Sequence, residues 1–337
     1  MYHFANQKFV PNASIKGVAY RNNLYGKDGE VEILLSKMES IWASAIYRLI
    51  DGVGRAEHPL DDDTVTHLYR LLLQYIIVSI TRTAKAADEN IEFYNHLEAM
   101  VNEVKQYGHK LAFNEEELTE SLEYPNIVGL KSTYDIEPFL YDLVPLLIVN
   151  NSNRGFITSD NPVAKYNQFY IYRNYKRNYG LSTAGLQIFL PLSPDICLCL
   201  YDGEVYSLKS NGRVVILSSG SSVNELNKLI VENAYAQAFF WNSEKESYIR
   251  SISRHKKIDE VSTVQEYPIQ GSSNTLLWFG NKSTDIKTKL PFFEIKPEYL
   301  SIALPAHMGG LTRSATKALE LKITQRYRNV SFKLTKQ

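Results

Sequence analysis

Residues 150–163 read Asn150-Asn151-Ser152-Asn153-Arg154-Gly155-Phe156-Ile157-Thr158-Ser159-Asp160-Asn161-Pro162-Val163. They form a polar loop, a short apolar strand and a Ser-Asp-Asn-Pro turn. The sequence pattern is helical before this stretch and strand-rich after it. Folds commonly place functional groups in a turn directly after a strand, and proline restricts such a turn. Asp160 is therefore the first candidate functional residue.

The residues before this stretch have the apolar spacing of amphipathic helices. Apolar positions recur three and four apart over Glu30–Leu49, over a second and mostly buried helix that begins after Asp61-Asp62-Asp63, and over Asp88–Tyr107. Residues 136–149 predict a short buried helix that is kinked at Pro145, because proline interrupts helical hydrogen bonding.

After residue 150 the pattern is that of short strands separated by turns. The predicted strands are 155–158, 186–190, 196–201, 204–208 and 213–217. The Asn-Gly pair at 211–212 predicts that the last two strands form a hairpin. A helix over Ser222–Phe240 follows, because apolar residues recur there at helical spacing.

These patterns predict the fold class α+β, with a helical N-terminal lobe followed by a small, mainly antiparallel sheet with packed helices. We divide the chain into three parts. A mainly helical lobe occupies residues 1–150, and a mixed strand and helix lobe with the Ser-Asp-Asn-Pro turn occupies 151–290. A C-terminal extension with a basic tail occupies 291–337.

Composition and charge argue against several classes of protein. Lysine plus arginine equals aspartate plus glutamate at 37 each, so the chain as a whole is not a strongly basic nucleic-acid binder. The spacing of Cys197 and Cys199 suits neither a disulfide framework nor a four-ligand zinc site. The apolar runs are too short to span a membrane, and the N-terminus lacks a signal-peptide pattern. We therefore expect a cytoplasmic protein without a membrane segment.

Four separated segments match the patterns of one known family. The most specific is Phe156–Val163, with Pro191-Leu192-Ser193-Pro194 after it. The other three patterns are an opening His-aromatic-x-x-Gln, two spaced glutamates in a first helix, and Arg-Thr at the end of a buried helix. Their counterparts here are His3-Phe4 with Gln7, Glu32 with Glu39, and Arg82-Thr83.

On these segments the chain resembles the bacterial family called domain of unknown function 4238, over residues 3 to about 241. One departure is Ala84, which stands where the family pattern has a proline. The resemblance implies an intracellular bacterial or phage-related protein of mixed helix and sheet. It implies no particular activity.

Asp160 supports two interpretations. As a functional residue it is a general base or a ligand of a divalent metal, with Ser159 and Asn161 as hydrogen-bonding groups for a substrate. As a structural residue it forms an Asx-type turn before Pro162, which explains the Ser-Asp-Asn-Pro sequence without catalysis. The sequence leaves both interpretations open.

Arg82, Glu39 and His3 form a second group of candidates. Arg82 lies on an apolar helix face, where an arginine needs an acceptor. Pairing with Glu39 or Asp160 would join the two lobes, whereas an unpaired guanidinium would bind a phosphate or a carboxylate. Glu39 is also a candidate orienting or metal-binding carboxylate. His3 is a candidate proton-transfer group through its place in the family pattern.

A basic and aromatic segment follows the Asp160 turn directly. From Lys165 to Tyr179 it interleaves basic residues with rings and contains no acidic residue. Arg173, Lys176 and Arg177 are candidates for binding phosphates or nucleic-acid bases. The alternative is an exposed loop or strand edge with packed tyrosines, which involves no ligand.

Two functions follow from these candidates. The first is an enzyme that acts on a phosphate-containing substrate such as nucleic acid or a nucleotide, with Asp160, Arg82, His3 and Glu39 in its active site. The second is a non-catalytic binding or sensing module with a protein partner, in a phage-defence or toxin-linked system. In the second case Asp160 and Arg82 form a structural hub.

Overall fold

The computed structural model describes residues 1–14, 25, 29–54, 62–106, 115–173, 180–209, 212–241, 245–254, 256, 263–268, 275–280, 287–288, 290–304 and 311–319. Five helices follow one another between residues 30 and 136, and most of the strands come after them in antiparallel and mixed sheets, which confirms the predicted α+β fold class.

Amphipathic spacing produces the helices of the N-terminal part, as predicted. In chain order the helices are α1 (Glu30–Gly54), α2 (Asp62–Thr81), α3 (Ala84–Gln106), α4 (Glu115–Glu123), α5 (Pro125–Ile136), α6 (Gln168–Tyr172), α7 (Gly220–Asn233), α8 (Glu246–Ser253) and α9 (Pro297–Leu300). Helix α2 is buried mainly in its second half, where Leu72, Leu73, Ile76 and Ile77 lie in the main core, whereas most of its first half is exposed. Its apolar residues cover more than one side, which is typical of a central helix.

The strands are short and form four sheets among the described residues. In chain order they are β1 (Tyr2–His3), β2 (Lys8–Phe9), β3 (Val144–Asn150), β4 (Thr158–Ser159), β5 (Ala164–Tyr166), β6 (Gln187–Pro191), β7 (Ile196–Tyr201), β8 (Tyr206–Leu208), β9 (Val214–Leu217), β10 (Gln237–Phe239), β11 (Thr263–Pro268), β12 (Thr275–Gly280) and β13 (Phe293–Ile295).

The largest sheet has five strands in the order β5-β6-β7-β3-β9. Its pairs are antiparallel except for β3 with β9, which run parallel. Every residue of β7 is buried, and so is most of β6, because these strands lie between neighbours on both sides. The main core lies around this sheet and includes the buried face of α2.

The helix predicted over residues 136–149 is wrong. A 3-10 turn occupies Glu137–Leu140, and residues 144–150 form β3, an interior strand of the five-stranded sheet between β7 and β9. A short apolar run fits a buried strand as well as a buried helix, so periodicity alone could not decide. Pro145 is tolerated because the parallel pairing with β9 starts only at Leu147, beyond the point where its missing N–H would matter.

The hairpin predicted from 204–208 and 213–217 is also wrong. Strand β8 pairs with β13, which is far away in the sequence, and β9 pairs with β3 instead of β8. Both pairings give an apolar strand a buried neighbour, so they override the local Asn-Gly turn signal.

A small four-stranded sheet has the order β2-β1-β10-β4 and brings the N-terminus to the Asp160 turn. Strand β10 pairs with β1 on one side and with β4 on the other. The helix predicted over Ser222–Phe240 is therefore wrong after Asn233, where α7 ends. Residues 237–239 form the strand β10 instead.

The C-terminal residues are joined to the rest of the described chain by Arg313, whose surface is 1% exposed. Its Nε and Nη2 atoms donate to the two carboxylate oxygens of Asp142 at 2.7 and 3.1 Å, and Nη1 donates to the carbonyl of Thr183 at 3.3 Å. Such a bidentate pair suits a buried arginine. The division at residues 150 and 290 stays a prediction, and the basic tail beyond Ala318 lies almost wholly outside the described residues.

None of the helices in the described part of the chain combines the length and the apolar content that crossing a membrane requires.

Candidate functional site

Asp160 lies directly after β4 and is held by the segment between α7 and β10. Its Oδ1 accepts the backbone N–H of Tyr235 at 2.9 Å, and its Oδ2 accepts that of Ala236 at 2.8 Å. Its own N–H donates to the carbonyl of Gln237 at 3.2 Å. Both carboxylate oxygens are thus engaged by the backbone, and the side chain fixes the path of the chain as it leaves α7.

The protonation of Asp160 is set by opposing influences. Burial raises the pKa of this carboxyl above its ordinary value. The N–H groups of Ala236 and Tyr235 and the positive charge of Lys256 act in the opposite direction. The net effect is a raised pKa for a carboxylate that is partly buried.

Asn161 and Lys256 also contact the C-terminal end of α7, and together with Asp160 they form what we call the clamp. Asn161 Nδ2 donates to the carbonyl of Asn233 at 2.7 Å. Lys256 Nζ donates to the carbonyls of Glu232 and Ala234 at 3.2 and 2.7 Å. The last carbonyls of a helix lack partners within the helix and carry partial negative charge, so a cation and an amide stabilise this end.

Ser159 closes the turn on itself. Its hydroxyl donates to the carbonyl of Asn161 at 2.8 Å, and its Oγ accepts the Asn161 N–H at 3.2 Å. The predicted substrate-binding groups Ser159 and Asn161 therefore have intramolecular partners. Their role toward a substrate stays a prediction.

His3 lies in the same small sheet as the Asp160 turn. It pairs with Gln237 of β10, and β10 separates it from β4. The next residue, Phe4, donates its N–H to the carbonyl of Ala236 at 3.0 Å. Strand β10 is thus bordered on one side by the His3-Phe4 segment of the family pattern and on the other by the strand that leads into the Asp160 turn.

Arg82 and Glu39 form an ion pair with each other. The pair joins α1 to the end of α2, and the side chains are 23% and 50% exposed. The carbonyl of Arg82 accepts from Asn126 Nδ2 at 3.1 Å, which ties the same point to α5. Among the described residues no hydrogen bond or ion pair joins Arg82 to Asp160, so these two candidates belong to different junctions.

Arg173 ends α6 and reaches the segment around α9. Its Nη2 donates to the carbonyl of Ile302 at 2.6 Å, and its guanidinium lies over the ring of Phe169 at 5.3 Å from the ring centre. Phe169 and Tyr170 are buried, so this part of the basic and aromatic segment packs into the core. The other two candidates, Lys176 and Arg177, lie outside the described residues.

Two side-chain contacts around the clamp are not evident from sequence periodicity. Asn227, which is fully buried, accepts the N–H of Ile157 at 3.1 Å and donates to the carbonyl of Gly155 at 3.0 Å. The hydroxyl of Tyr235 donates to Asp88 Oδ2 on α3 at 2.6 Å. No local signal in the sequence marks Tyr235 as a link to α3.

Asp88 also lines an open, shallow cleft along α3, which has a volume of about 510 Å³. Its lining among the described residues is Asp88, Ile91, Glu92, Asn95, His96 and Ala99. The polar lining residues recur at helical spacing, which is also typical of a solvated helix face. The sequence therefore does not identify them as a site. In the described chain no donor reaches the buried Oε2 of Glu92.

A metal site was one interpretation of Asp160 and Glu39. Within the described ranges, no three or more His, Cys, Asp or Glu side chains are grouped so that they could hold a metal ion. Binding of a divalent metal therefore stays a prediction, and the described residues provide no group of ligands for it.

The fold and the clamp together define an α+β protein whose signature turn fixes the end of a helix. The family model described as Protein of unknown function (DUF4238) matches residues 2–244, well over half of the chain. The chain belongs to this family, which confirms the resemblance. Comparison with curated proteins and with solved structures gives no match.

Proposed function

We propose that the chain is a non-catalytic binding module that recognises a protein partner, with the Asp160 turn as its structural hub. The observation that carries the proposal is the occupation of both Asp160 oxygens by the backbone N–H groups of Tyr235 and Ala236. A general base or metal ligand needs an oxygen directed at a substrate or an ion. Here the oxygens are directed at the chain itself.

The charges around the other candidates support the same proposal. A phosphate-binding arginine needs a positive charge that is not already neutralised, and Glu39 neutralises Arg82. The cytoplasm of a bacterium is the compartment that we propose, because Cys197 and Cys199 are free thiols. A phage-defence or toxin-linked setting rests on the family resemblance alone.

The cleft along α3 is the recognition site that we propose. Asp88 and Glu92 give it two carboxylates, and no donor within the described chain satisfies the buried Oε2 of Glu92. A buried polar atom without a partner costs about 1–3 kcal/mol, which a ligand that supplies a donor would recover. A guanidinium fits a carboxylate well, so the proposed ligand is an arginine side chain of the partner.

Replacement of Asp160 by alanine tests whether the turn is a hub. We expect a large loss of stability in chemical denaturation, because two backbone N–H groups lose their acceptor. The enzyme alternative requires the opposite result. If Asp160→Ala keeps the melting temperature of the parent protein but abolishes a phosphate-releasing activity that the parent has, the proposal is overturned.

The cleft is tested with N-acetyl-arginine amide as the probe and calorimetry or NMR as the readout. We expect weak binding that falls at least about fivefold in Glu92→Gln, because a charge-assisted hydrogen bond becomes a neutral one. Glu98→Gln is the matched control, since Glu98 is an exposed glutamate on the same helix outside the cleft. Equal binding by the parent and Glu92→Gln, or binding of N-acetyl-norleucine amide to the same extent, would contradict the site.

A further inference from the structure

Strand β9 lies at an open edge of the five-stranded sheet. It pairs with β3 and with no other strand of the described chain. Its side chains alternate: Val215 and Leu217 lie in the main core, whereas Val214 and Ile216 are 46% and 60% exposed. We infer that this edge is a self-association surface, on which β9 of a second copy of this chain pairs in the antiparallel direction. The surface is separate from the α3 cleft and does not depend on the function proposed for that cleft.

The backbone of β9 has hydrogen-bonding groups that point away from the sheet. Leu147 of β3 donates its N–H to the carbonyl of Arg213 at 2.9 Å. Because alternate residues of a strand face the same neighbour, Arg213 and Val215 both direct their backbone groups at β3. Val214 and Ile216 therefore direct their N–H and C=O groups at the open edge, where another strand can pair with them.

The sequence of β9 lacks the features that keep exposed strands apart. Natural edge strands commonly carry charged side chains or proline, which prevent pairing with another chain. Residues 214–219 contain neither a charged residue nor a proline. On the same face of the sheet, Leu147 and Val149 lie beside Val214 and Ile216 and are only half-buried. These four side chains form an apolar surface that continues to the open edge, and such a surface is typical of a protein interface.

A second copy fits this edge better than a flexible peptide does. A peptide must become ordered when it joins a sheet, and fixing its backbone costs conformational entropy at every residue. Strand β9 of another copy is already extended and already held by β3. A closed dimer has a two-fold axis, and an axis perpendicular to the sheet places the two β9 strands antiparallel with their apolar faces on the same side. The two five-stranded sheets then form one continuous sheet.

The exposed side chains determine the register of this pairing. With the two-fold axis at Val215, Val214 of each copy lies opposite Ile216 of the other, and β-branched residues pack well in such cross-strand positions. An axis at Val214 would instead place Ile216 opposite Gly212. An axis at Ile216 would place Val214 opposite Ser218. Because the strand is short and the interface small, we expect dissociation constants of roughly 10–100 µM.

Sedimentation equilibrium of the full chain measures the dimer, and two double variants test the register. Val214→Lys with Ile216→Lys places like charges opposite each other across the axis, whereas Val214→Lys with Ile216→Glu places opposite charges there. Both side chains are exposed in one copy, so both variants should fold. We expect the second variant to dimerise at least about tenfold more tightly than the first, because two cross-strand pairs become attractive. Leu300→Lys on α9, where the leucine is 59% exposed, is the matched control and should dimerise like the parent protein.

Amide hydrogen exchange, followed by NMR, gives a second readout that needs no substitution. The N–H groups of Val214 and Ile216 should exchange quickly in dilute protein and slowly in concentrated protein, because pairing protects them. The N–H of Val215 faces β3 and should be protected at every concentration. A parent protein that stays monomeric up to about 1 mM, or equal dimerisation of the two double variants, would overturn the inference. Protection of Ile216 at every concentration, or its fast exchange within a dimer, would overturn it as well.

Discussion

The Asp160 turn and the Arg82–Glu39 pair are both charged features that stand out in the sequence, and they lie in contrasting environments. Asp160 is partly buried, and both of its carboxylate oxygens accept backbone N–H groups. Arg82 and Glu39 contact each other where the side chains are 23% and 50% exposed. A charge on an apolar stretch therefore signals that a partner exists, but it does not reveal what the partner is.

The exposure of each feature to water also determines how much it contributes to the free energy of unfolding. Hydrogen bonds to a charged group contribute about 1.5–3 kcal/mol each when they are shielded from water. Exposed ion pairs contribute about 0–1 kcal/mol, because water and salt screen them. We therefore expect the Asp160 turn and the Arg82–Glu39 pair to differ severalfold in their contribution to the free energy of unfolding, although both belong to the same family pattern.

The largest effect is expected for Asp160→Ala. Loss of the carboxylate leaves the N–H groups of Tyr235 and Ala236 without their acceptor, and we expect the free energy of unfolding to fall by about 2–5 kcal/mol. Urea denaturation measures the change. Asp195→Ala is the control, since Asp195 is an exposed aspartate in another turn, and it should change the free energy by less than about 0.5 kcal/mol. If Asp160→Ala and Asp195→Ala lowered the free energy of unfolding equally, the Asp160 turn would be no more important for stability than an ordinary exposed turn.

An intermediate effect is expected for Tyr69→Phe, which removes a half-buried contact between α2 and the start of β3. The Tyr69 hydroxyl donates to the carbonyl of Leu143 at 3.0 Å, so its loss should cost about 1 kcal/mol.

The same tyrosine makes stability depend on pH. Burial raises the pKa of Tyr69 to about 12 from an ordinary value of 10.0. A raised pKa in the folded state means that the stabilisation is complete below the ordinary pKa and is lost as the pH rises through the folded one. The difference in unfolding free energy between the parent and Tyr69→Phe should therefore shrink from pH 10 to about pH 12. A difference that stays constant over this range would contradict the assigned shift.

The smallest effect is expected for Arg82→Met, at most about 1 kcal/mol, and it should decrease when salt is added. The exposed pair Lys131–Glu120, with side chains 63% and 45% exposed, is the comparison, and Lys131→Met should cost still less. A loss above about 2 kcal/mol that salt does not reduce would place Arg82 in the same class as Asp160.

The elements that the sequence predicts well have regular apolar spacing and local hydrogen bonds. Helices α1 and α3 and strand β7 lie close to the predicted ranges. The sequence predicts a helix where β3 lies, because a short apolar run fits either structure. The sequence predicts that α7 continues through β10, because apolar residues recur past Asn233, but the backbone of β10 pairs with β1 and β4.

For the candidate site, the sequence identifies Asp160 but does not specify its partners. The sequence offers an Asx-type turn at Asp160 as one of two interpretations, but the local side-chain bonds of the turn belong to Ser159, which contacts Asn161. The donors to Asp160 come from residues 75 and 76 positions further along the chain. The link between Tyr235 and Asp88 spans 147 positions and has no local signal.

By itself, the sequence determined the fold class, the positions of most helices, the family and the residue at the centre of the signature turn. These follow from side-chain spacing and short motifs, which depend on near neighbours. Only the tertiary structure decided that β3 is a strand between β7 and β9, that β10 separates His3 from the Asp160 turn, and that Arg82 belongs to a different junction. Strand pairing and the burial of a charge depend on which distant segments meet, and the free energy of those contacts is absent from any local pattern.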